Sequence, residues 1–155
     1  MDRPTSLHRA LLPEGWKRPS GYSNGMVASG RMVFVAGQIG WDTEGRFPPT
    51  FAGQVEQALA NIVAVLGAGG AGPEHLTRIT WYVTDIDAYT DALKEIGQAY
   101  RATLGPVYPP MTLVQVVRLV ERSEYKRQQA APVLKVTKKS FGTGRRFPIA
   151  VKVEV

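Results

Sequence analysis

Apolar and polar residues alternate with a helical period in the segment that runs from Phe51 to Leu66. Apolar side chains recur there every three or four positions, so one helix face would be buried and the other polar. Thr50 stands where an N-cap is needed, and Gly67 stands where such a helix ends. The predicted buried stripe is Phe51, Val55, Ala58, Leu59, Ile62 and Val65 or Leu66.

A second helical pattern covers about residues 88–104. Asp85 or Asp87 is suited to cap its start, and Gly105-Pro106 ends it because proline cannot continue a helix. The same three- and four-residue spacing predicts one buried stripe here too. That stripe is Tyr89, Leu93, Ile96, Tyr100 and Leu104.

Short runs rich in β-branched and aromatic residues predict the strands. Met26–Ala28 and Arg31–Ala36 flank Ser29-Gly30, so we expect them to pair as a hairpin. The order β-β-α-β-α-β, with helices grouped against a partly antiparallel sheet, predicts an α+β fold. The remaining predicted strands are Leu76–Val83, Thr112–Leu119, Val133–Thr137 and Ile149–Val155, the last two as a hairpin around residues 140–144.

Composition narrows the classes of function. The chain has 155 residues, 44% of them hydrophobic, which suffices for one domain with a core. It has no cysteine, which excludes disulfides and thiolate chemistry and agrees with a cytoplasmic location. His8 and His75 belong to no ligand-spaced cluster, so we expect neither a metal nor another cofactor. Neither a signal peptide nor a membrane-spanning run is apparent.

The net charge of +6 is unevenly distributed. Residues 1–121 carry ten Lys and Arg against eleven Asp and Glu, whereas residues 122–155 carry nine against two. A basic protein favours a nucleic-acid partner, but a neutral body with a basic segment is better explained as a solvated segment. The glycine-rich residues 67–72 follow a helix rather than a strand, which favours a loop over a phosphate-binding site.

Five segments between about residues 15 and 121 form a recognisable set. They are Gly21-Tyr22-Ser23, Val33–Ile39 (VFVAGQI), Gln54–Leu66 (QVEQALANIVAVL), Tyr82–Asp85 (YVTD) and Tyr108–Val116 (YPPMTLVQV). In order and spacing they resemble the RidA/YjgF reactive-intermediate deaminase family, also labelled L-PSP endoribonuclease-like. The resemblance implies a chorismate-mutase-like fold, with two helices packed on one face of a mixed sheet. It also implies a homotrimer with a small-molecule pocket at each subunit interface. We expect no membrane partner, because no apolar run is long enough to span a membrane.

The resemblance also assigns site residues. Active relatives hydrolyse 2-enamines or 2-imines to 2-oxo acids and ammonia, with a guanidinium on the substrate carboxylate and a carboxylate that serves the water. Tyr22 matches the family's pocket tyrosine, and Gly37 and Gln38 match the residues of the pocket floor. Ala36 stands where the family has serine, and Met111 stands where it has the carboxylate-binding arginine. The chain therefore resembles a branch that lacks this arginine.

The C-terminal segment is the second departure. The family ends in a strand whose first glutamate serves the water, and the nearest match here is Glu154, after about thirty additional residues. Either Glu154 is that glutamate, displaced along the chain, or the segment has been lost. We divide the chain into a RidA/YjgF-like domain, 1–121, and an atypical basic segment, 122–155. That segment is either a native extension or the result of a reading-frame change near Ser123, and a β-hairpin in it would complete or extend the sheet.

Three functions remain open at this point. The first is a hydrolytic deaminase-like protein that acts on small reactive enamines or imines with an altered site. The second is a non-catalytic trimer that binds small metabolites or a partner. The third, with less support, is RNA binding or ribonuclease-like activity, since some relatives carry ribonuclease labels and the C-terminal segment is basic.

Overall fold

The computed structural model describes residues 6–119 and the backbone of residues 149–154. Within these ranges the strands are β1 Arg9–Leu11, β2 Gly25–Val27, β3 Phe34–Ile39, β4 Arg78–Val83, β5 Met111–Gln115 and β6 Ile149–Glu154. The helices are α1 Phe51–Ala68, α2 Ile86–Asp91 and α3 Leu93–Leu104, with a short 3-10 turn at Pro73–His75.

The main sheet has the order β3-β6-β4-β5. Strand β6 pairs antiparallel with both of its neighbours, whereas β4 and β5 run parallel. The sheet is therefore mixed, and the predicted α+β class is confirmed. Strand β6 falls within the predicted run Ile149–Val155 but pairs with β3 and β4. Its predicted partner, Val133–Thr137, lies outside the described residues.

Strand β2 differs from the prediction. It pairs antiparallel with β1, with Arg9 opposite Val27, and not with β3. The predicted hairpin between Met26–Ala28 and Arg31–Ala36 is therefore wrong. A two-residue hairpin turn needs a positive φ at its first central residue, here Ser29, whereas only glycines have a positive φ among the described residues. The chain consequently does not fold back at this point, and β3 begins only at Phe34.

Helix α1 follows its predicted pattern closely. The Thr50 side chain accepts a hydrogen bond from the Gly53 amide at 3.0 Å, which confirms the N-cap. Its buried residues match the predicted stripe with Leu66 in place of the exposed Val65, and Gln54 is buried in addition. By length and composition α1 could cross a membrane, with a mean hydropathy of 1.2, but its apolar stripe forms part of the core.

The predicted second helix is divided in two. Asp85 caps α2 by accepting a hydrogen bond from the Ala88 amide at 2.9 Å, and the helix ends at Asp91. Ala92 (φ −97°, ψ 10°) leaves the helical conformation, and α3 starts directly after it. Leu93 remains 49% exposed instead of joining the buried stripe.

The helices cover one face of the main sheet. Alternate β4 residues Ile79, Trp81 and Val83 are buried on this face against α1 and α3. Each such fully buried side chain contributes about 1.5–3 kcal/mol to stability. The intervening β4 residues are only partly buried or exposed, and Phe34 on β3 is 70% exposed. Within the described part of the chain, the second face of the sheet is therefore left uncovered.

Candidate functional site

A cleft of about 560 Å³ opens at the β5 edge of the sheet, between α3 and the loop that carries Tyr22. We call it the aromatic cleft because tyrosine and tryptophan rings form much of its wall. Residues from α2, α3, β4 and β5 meet there with the N-terminal loop and the segment before β5. The cleft is lined by Ser20, Gly21, Tyr22, Trp81, Tyr89, Leu93, Ile96, Gly97, Tyr100, Arg101, Tyr108, Met111 and Leu113.

Three rings make the rigid side of the aromatic cleft. Tyr100 stacks on Tyr108 with ring centroids 5.8 Å apart and planes 9° apart, and it also contacts Trp81 at 6.5 Å. The Tyr100 hydroxyl donates a hydrogen bond of 2.6 Å to the Val107 carbonyl. Burial, with a smaller contribution from Tyr108, raises the pKa of this hydroxyl above its ordinary value. The phenol therefore stays protonated at neutral pH, and its role is to hold the ring in place.

The loop around Tyr22 is held against the segment before β5. Gly21 has a φ of 78°, a conformation that favours glycine. The Ser23 hydroxyl donates to the Tyr108 carbonyl at 2.5 Å, and the Ser23 amide donates to the Pro109 carbonyl at 3.3 Å. These two bonds place the half-exposed Tyr22 at the cleft that Met111 also lines. Ser23 belonged to a recognised segment, but no role for it had been predicted.

Arg101 is a cleft residue that the sequence analysis missed. It lies in the last turn of α3 and is exposed, and it carries the only charge among the described residues that line the aromatic cleft. A Cβ added to Gly97, one turn earlier, would lie 3.4 Å from Nη1 of Arg101. The guanidinium of Arg101 therefore lies beside Gly97. No local pattern singles Arg101 out, since a polar residue outside the buried stripe of a helix has the pattern of ordinary surface.

The predicted site residues do not all meet within one chain. Tyr22 and Met111 line the same cleft, at the β5 edge. Ala36, Gly37 and Gln38 lie on β3, at the opposite end of the sheet order. Three strand spacings separate the two edges, which is roughly 14 Å. A shift of register between Val35 and Gln38 marks a β-bulge, and the side-chain Nε2 of Gln38 donates to the Ala36 carbonyl at 3.2 Å.

Glu154 lies on β6, inside the sheet. Its backbone is opposite Phe34 on one side and Arg78 on the other. Met111 pairs with Ile79, and Ile79 pairs with Val153. Glu154 is therefore two strands and one residue from the Met111 position. A single subunit does not collect all of the predicted residues at one point.

A second cleft of about 620 Å³ adjoins the aromatic cleft and shares Tyr22 and Tyr108 with it. Arg18 and His8 line this neighbouring cleft. His8 Nε2 lies 3.0 Å from the His75 carbonyl oxygen, and His75 Nδ1 accepts from the Gly72 amide, so both histidines tie loops together. Within the described residues, no cluster of three or more His, Asp or Glu is suited to hold a metal ion.

Comparison with known proteins gives consistent results. The family described as Endoribonuclease L-PSP matches residues 16–125. A RutC family protein from Aquifex aeolicus is 30% identical over 108 residues, which are 64% of this chain and 86% of that protein. TdcF from Escherichia coli strain K12, whose name describes a reactive intermediate deaminase, is 30% identical over 97 residues, 60% of this chain and 72% of TdcF.

The fold is shared with a solved structure. The Rid-family protein YyfB from Yersinia pestis superposes with a TM-score of 0.68 at 23% identity, covering 95% of this chain and 96% of that one.

By sequence, a segment of this chain also matches a glutamine-dependent NAD(+) synthetase from Synechocystis sp., 38% identical over 65 residues. That segment is 42% of this chain but 12% of the synthetase, so the chain spans only a small part of that relative's length.

Proposed function

Since the chain belongs to the RidA/YjgF family, known also as Endoribonuclease L-PSP, we propose that it is a hydrolytic deaminase-like protein with an altered site, acting on small reactive enamines or imines. The name of its relative TdcF supports this reaction class. The observation that carries the proposal is that Tyr22 and Met111, two positions assigned to the family pocket, line one cleft.

The reaction makes few demands on the protein. Water adds to the carbon of the C=N bond, the nitrogen leaves as ammonia, and the carbon keeps the oxygen as a carbonyl. A carboxylate that orients the water and a cation that holds the substrate are sufficient. Glu154 is our proposed source of the carboxylate. No metal or redox cofactor is needed for this step.

Assembly as a homotrimer would complete the site. The uncovered sheet face, with Phe34 70% exposed and Val114 39% exposed, is the surface that we propose to be buried between subunits. In such a trimer, Ala36, Gly37 and Gln38 of one subunit would lie close to the aromatic cleft of the neighbouring subunit. The separation of these residues within one chain supports a site shared between subunits.

The alteration of the site is tested by Met111→Arg. Met111 is apolar and partly buried, so it offers no charge to a substrate carboxylate. We expect the unmodified protein to hydrolyse 2-aminoacrylate little faster than water does, and Met111→Arg to raise that rate. A gain of about tenfold or more corresponds to one charge-assisted contact. The measurement is loss of the imine above its known spontaneous decay.

Two further variants serve as controls. Met111→Leu keeps an apolar side chain of similar volume and should leave the rate unchanged. Ala36→Ser restores one neutral hydroxyl and should add less than the arginine does. Efficient hydrolysis by the unmodified protein would contradict the altered site. A folded, inactive Met111→Arg variant would instead argue against Glu154 as the carboxylate that serves the water.

A second function is favoured by the same observation. An apolar Met111 and a wall of aromatic rings suit binding without turnover, so a trimer that binds small metabolites is the alternative. The two are separated by testing binding and hydrolysis on one preparation. Saturable binding without any imine loss, in the unmodified protein and in Met111→Arg, would favour the binding function.

A further inference from the structure

We infer that Arg101, on α3, holds the carboxylate of a ligand that also bears an aromatic or other flat apolar ring, and that the aromatic cleft receives that ring. The inference rests on the proposed function, since it names the class of substrate for the same cleft. In this inference Arg101 on α3 supplies the positive charge that Met111 on β5 lacks.

The size and lining of the cleft exceed what a three-carbon imine needs. Its volume is about 560 Å³, whereas a cavity of about 150 Å³ already accepts benzene. Trp81 and Tyr100 are 4% and 6% exposed and fix the inner wall, whereas the more exposed Tyr22 and Leu93 offer apolar surface to a ligand. Flat apolar groups bind well on such surfaces by stacking and by burial of their area. A ring with a short acid chain uses this space, and 2-aminoacrylate does not.

The position of Arg101 suits the other end of such a ligand. Its side chain is exposed and lines the same cleft, so the guanidinium meets an entering anion without first being buried. The negative end of the α3 dipole opposes an anion, but the Arg101 carbonyl already accepts from the Gly105 amide at 3.1 Å. A guanidinium can donate two parallel bonds to a carboxylate, which outweighs the remaining dipole.

The test is calorimetric binding to the full chain with three probes. Phenylpyruvate carries both ring and carboxylate, phenylacetone carries the ring alone, and 2-oxobutanoate carries the carboxylate alone. We expect phenylpyruvate to bind most tightly. Arg101→Gln should raise its Kd about tenfold or more and leave the Kd of phenylacetone unchanged. Arg101→Lys, which keeps the charge but loses the bidentate geometry, should fall in between.

Arg18→Gln is the matched control, because Arg18 lines the neighbouring cleft that shares Tyr22. It should not change the Kd of phenylpyruvate. A purely structural role for Arg101 would affect both ring-bearing probes together.

Three results would overturn the inference. They are an unchanged Kd of phenylpyruvate in Arg101→Gln, loss of its binding in Arg18→Gln, and equal binding of phenylpyruvate and 2-oxobutanoate. The proposed function is judged separately by hydrolysis of the imine of phenylpyruvate. Arg101-dependent binding without hydrolysis would reject the deaminase and keep the anion site. Hydrolysis that is indifferent to Arg101 would reject the anion site and keep the deaminase.

Discussion

Replacement of Tyr100 by phenylalanine tests the rigid side of the aromatic cleft. The change removes one oxygen and keeps the ring, so the stacking on Tyr108 and the contact with Trp81 are preserved. It leaves the fully buried Val107 without the donor that its carbonyl has at 2.6 Å. An unsatisfied buried acceptor of this kind costs about 1–3 kcal/mol. In a chain of this size each kcal/mol lowers Tm by about 2–4 °C.

The assay is equilibrium unfolding in urea, followed by far-UV circular dichroism. The midpoint should fall while the slope m stays constant, because the change affects stability and not the surface exposed on unfolding. A pH series adds a second readout. Burial raises the pKa of the Tyr100 hydroxyl above the unfolded value near 10, so its contribution to stability is complete below that pH and declines as the pH rises above it. Tyr100→Phe should therefore lose less stability than the unmodified protein above pH 10.

Tyr89→Phe is the matched control. Tyr89 also lines the aromatic cleft, and burial raises its pKa too, but within the described residues its hydroxyl makes no hydrogen bond. Its loss should cost well under 1 kcal/mol, as is usual where no buried partner is left behind. If Tyr100→Phe and Tyr89→Phe unfold at the same urea concentration, the hydrogen bond to Val107 does not stabilise the cleft and our reasoning is refuted.

Two further predictions concern the loop and the assembly. Ser23→Ala should cost about 1 kcal/mol and weaken the binding of ligands to the aromatic cleft, because it removes the hydrogen bond to the Tyr108 carbonyl. Urea unfolding and calorimetry measure both effects, and a result equal to that of Ser29→Ala, an exposed serine outside the cleft, would contradict the prediction. Light scattering should give three times the chain mass, and Phe34→Asp should reduce it whereas Val27→Asp, outside the main sheet, should not. A monomeric unmodified protein at micromolar concentration would reject the trimer.

The elements that could be predicted from the sequence are those whose conformation is determined by residues close by in the chain. The stripe of α1 and its Thr50 cap depend on residues within one or two turns, so periodicity and cap chemistry were sufficient. Strand β1 was missed because all three of its residues are exposed and show no alternation. The break at Ala92 was also missed, since nothing local distinguishes this alanine from those inside a helix.

The site was harder to predict, because the order of strands in the sheet decides which of its residues lie close together. The resemblance identified Tyr22 and Met111, and the structure brings both to one cleft. It could not reveal that Ala36–Gln38 lie at the other end of the sheet, because strand order is not written in any local pattern. Arg101 was missed for a related reason. As an exposed helix residue it looks like ordinary surface until the fold sets α3 beside β5.

The place of β6 has a consequence for how the protein is made. A ribosome releases strand β3 and helix α1 before β4 and β5, and releases residues 149–154 only later. Yet β6 separates β3 from β4 and pairs with both, joining Phe34 to Glu154. The nascent chain must therefore keep two strand edges unpaired during synthesis, and pairings so distant in sequence form slowly. We expect a dependence on chaperones during translation that the small size of the protein would not suggest.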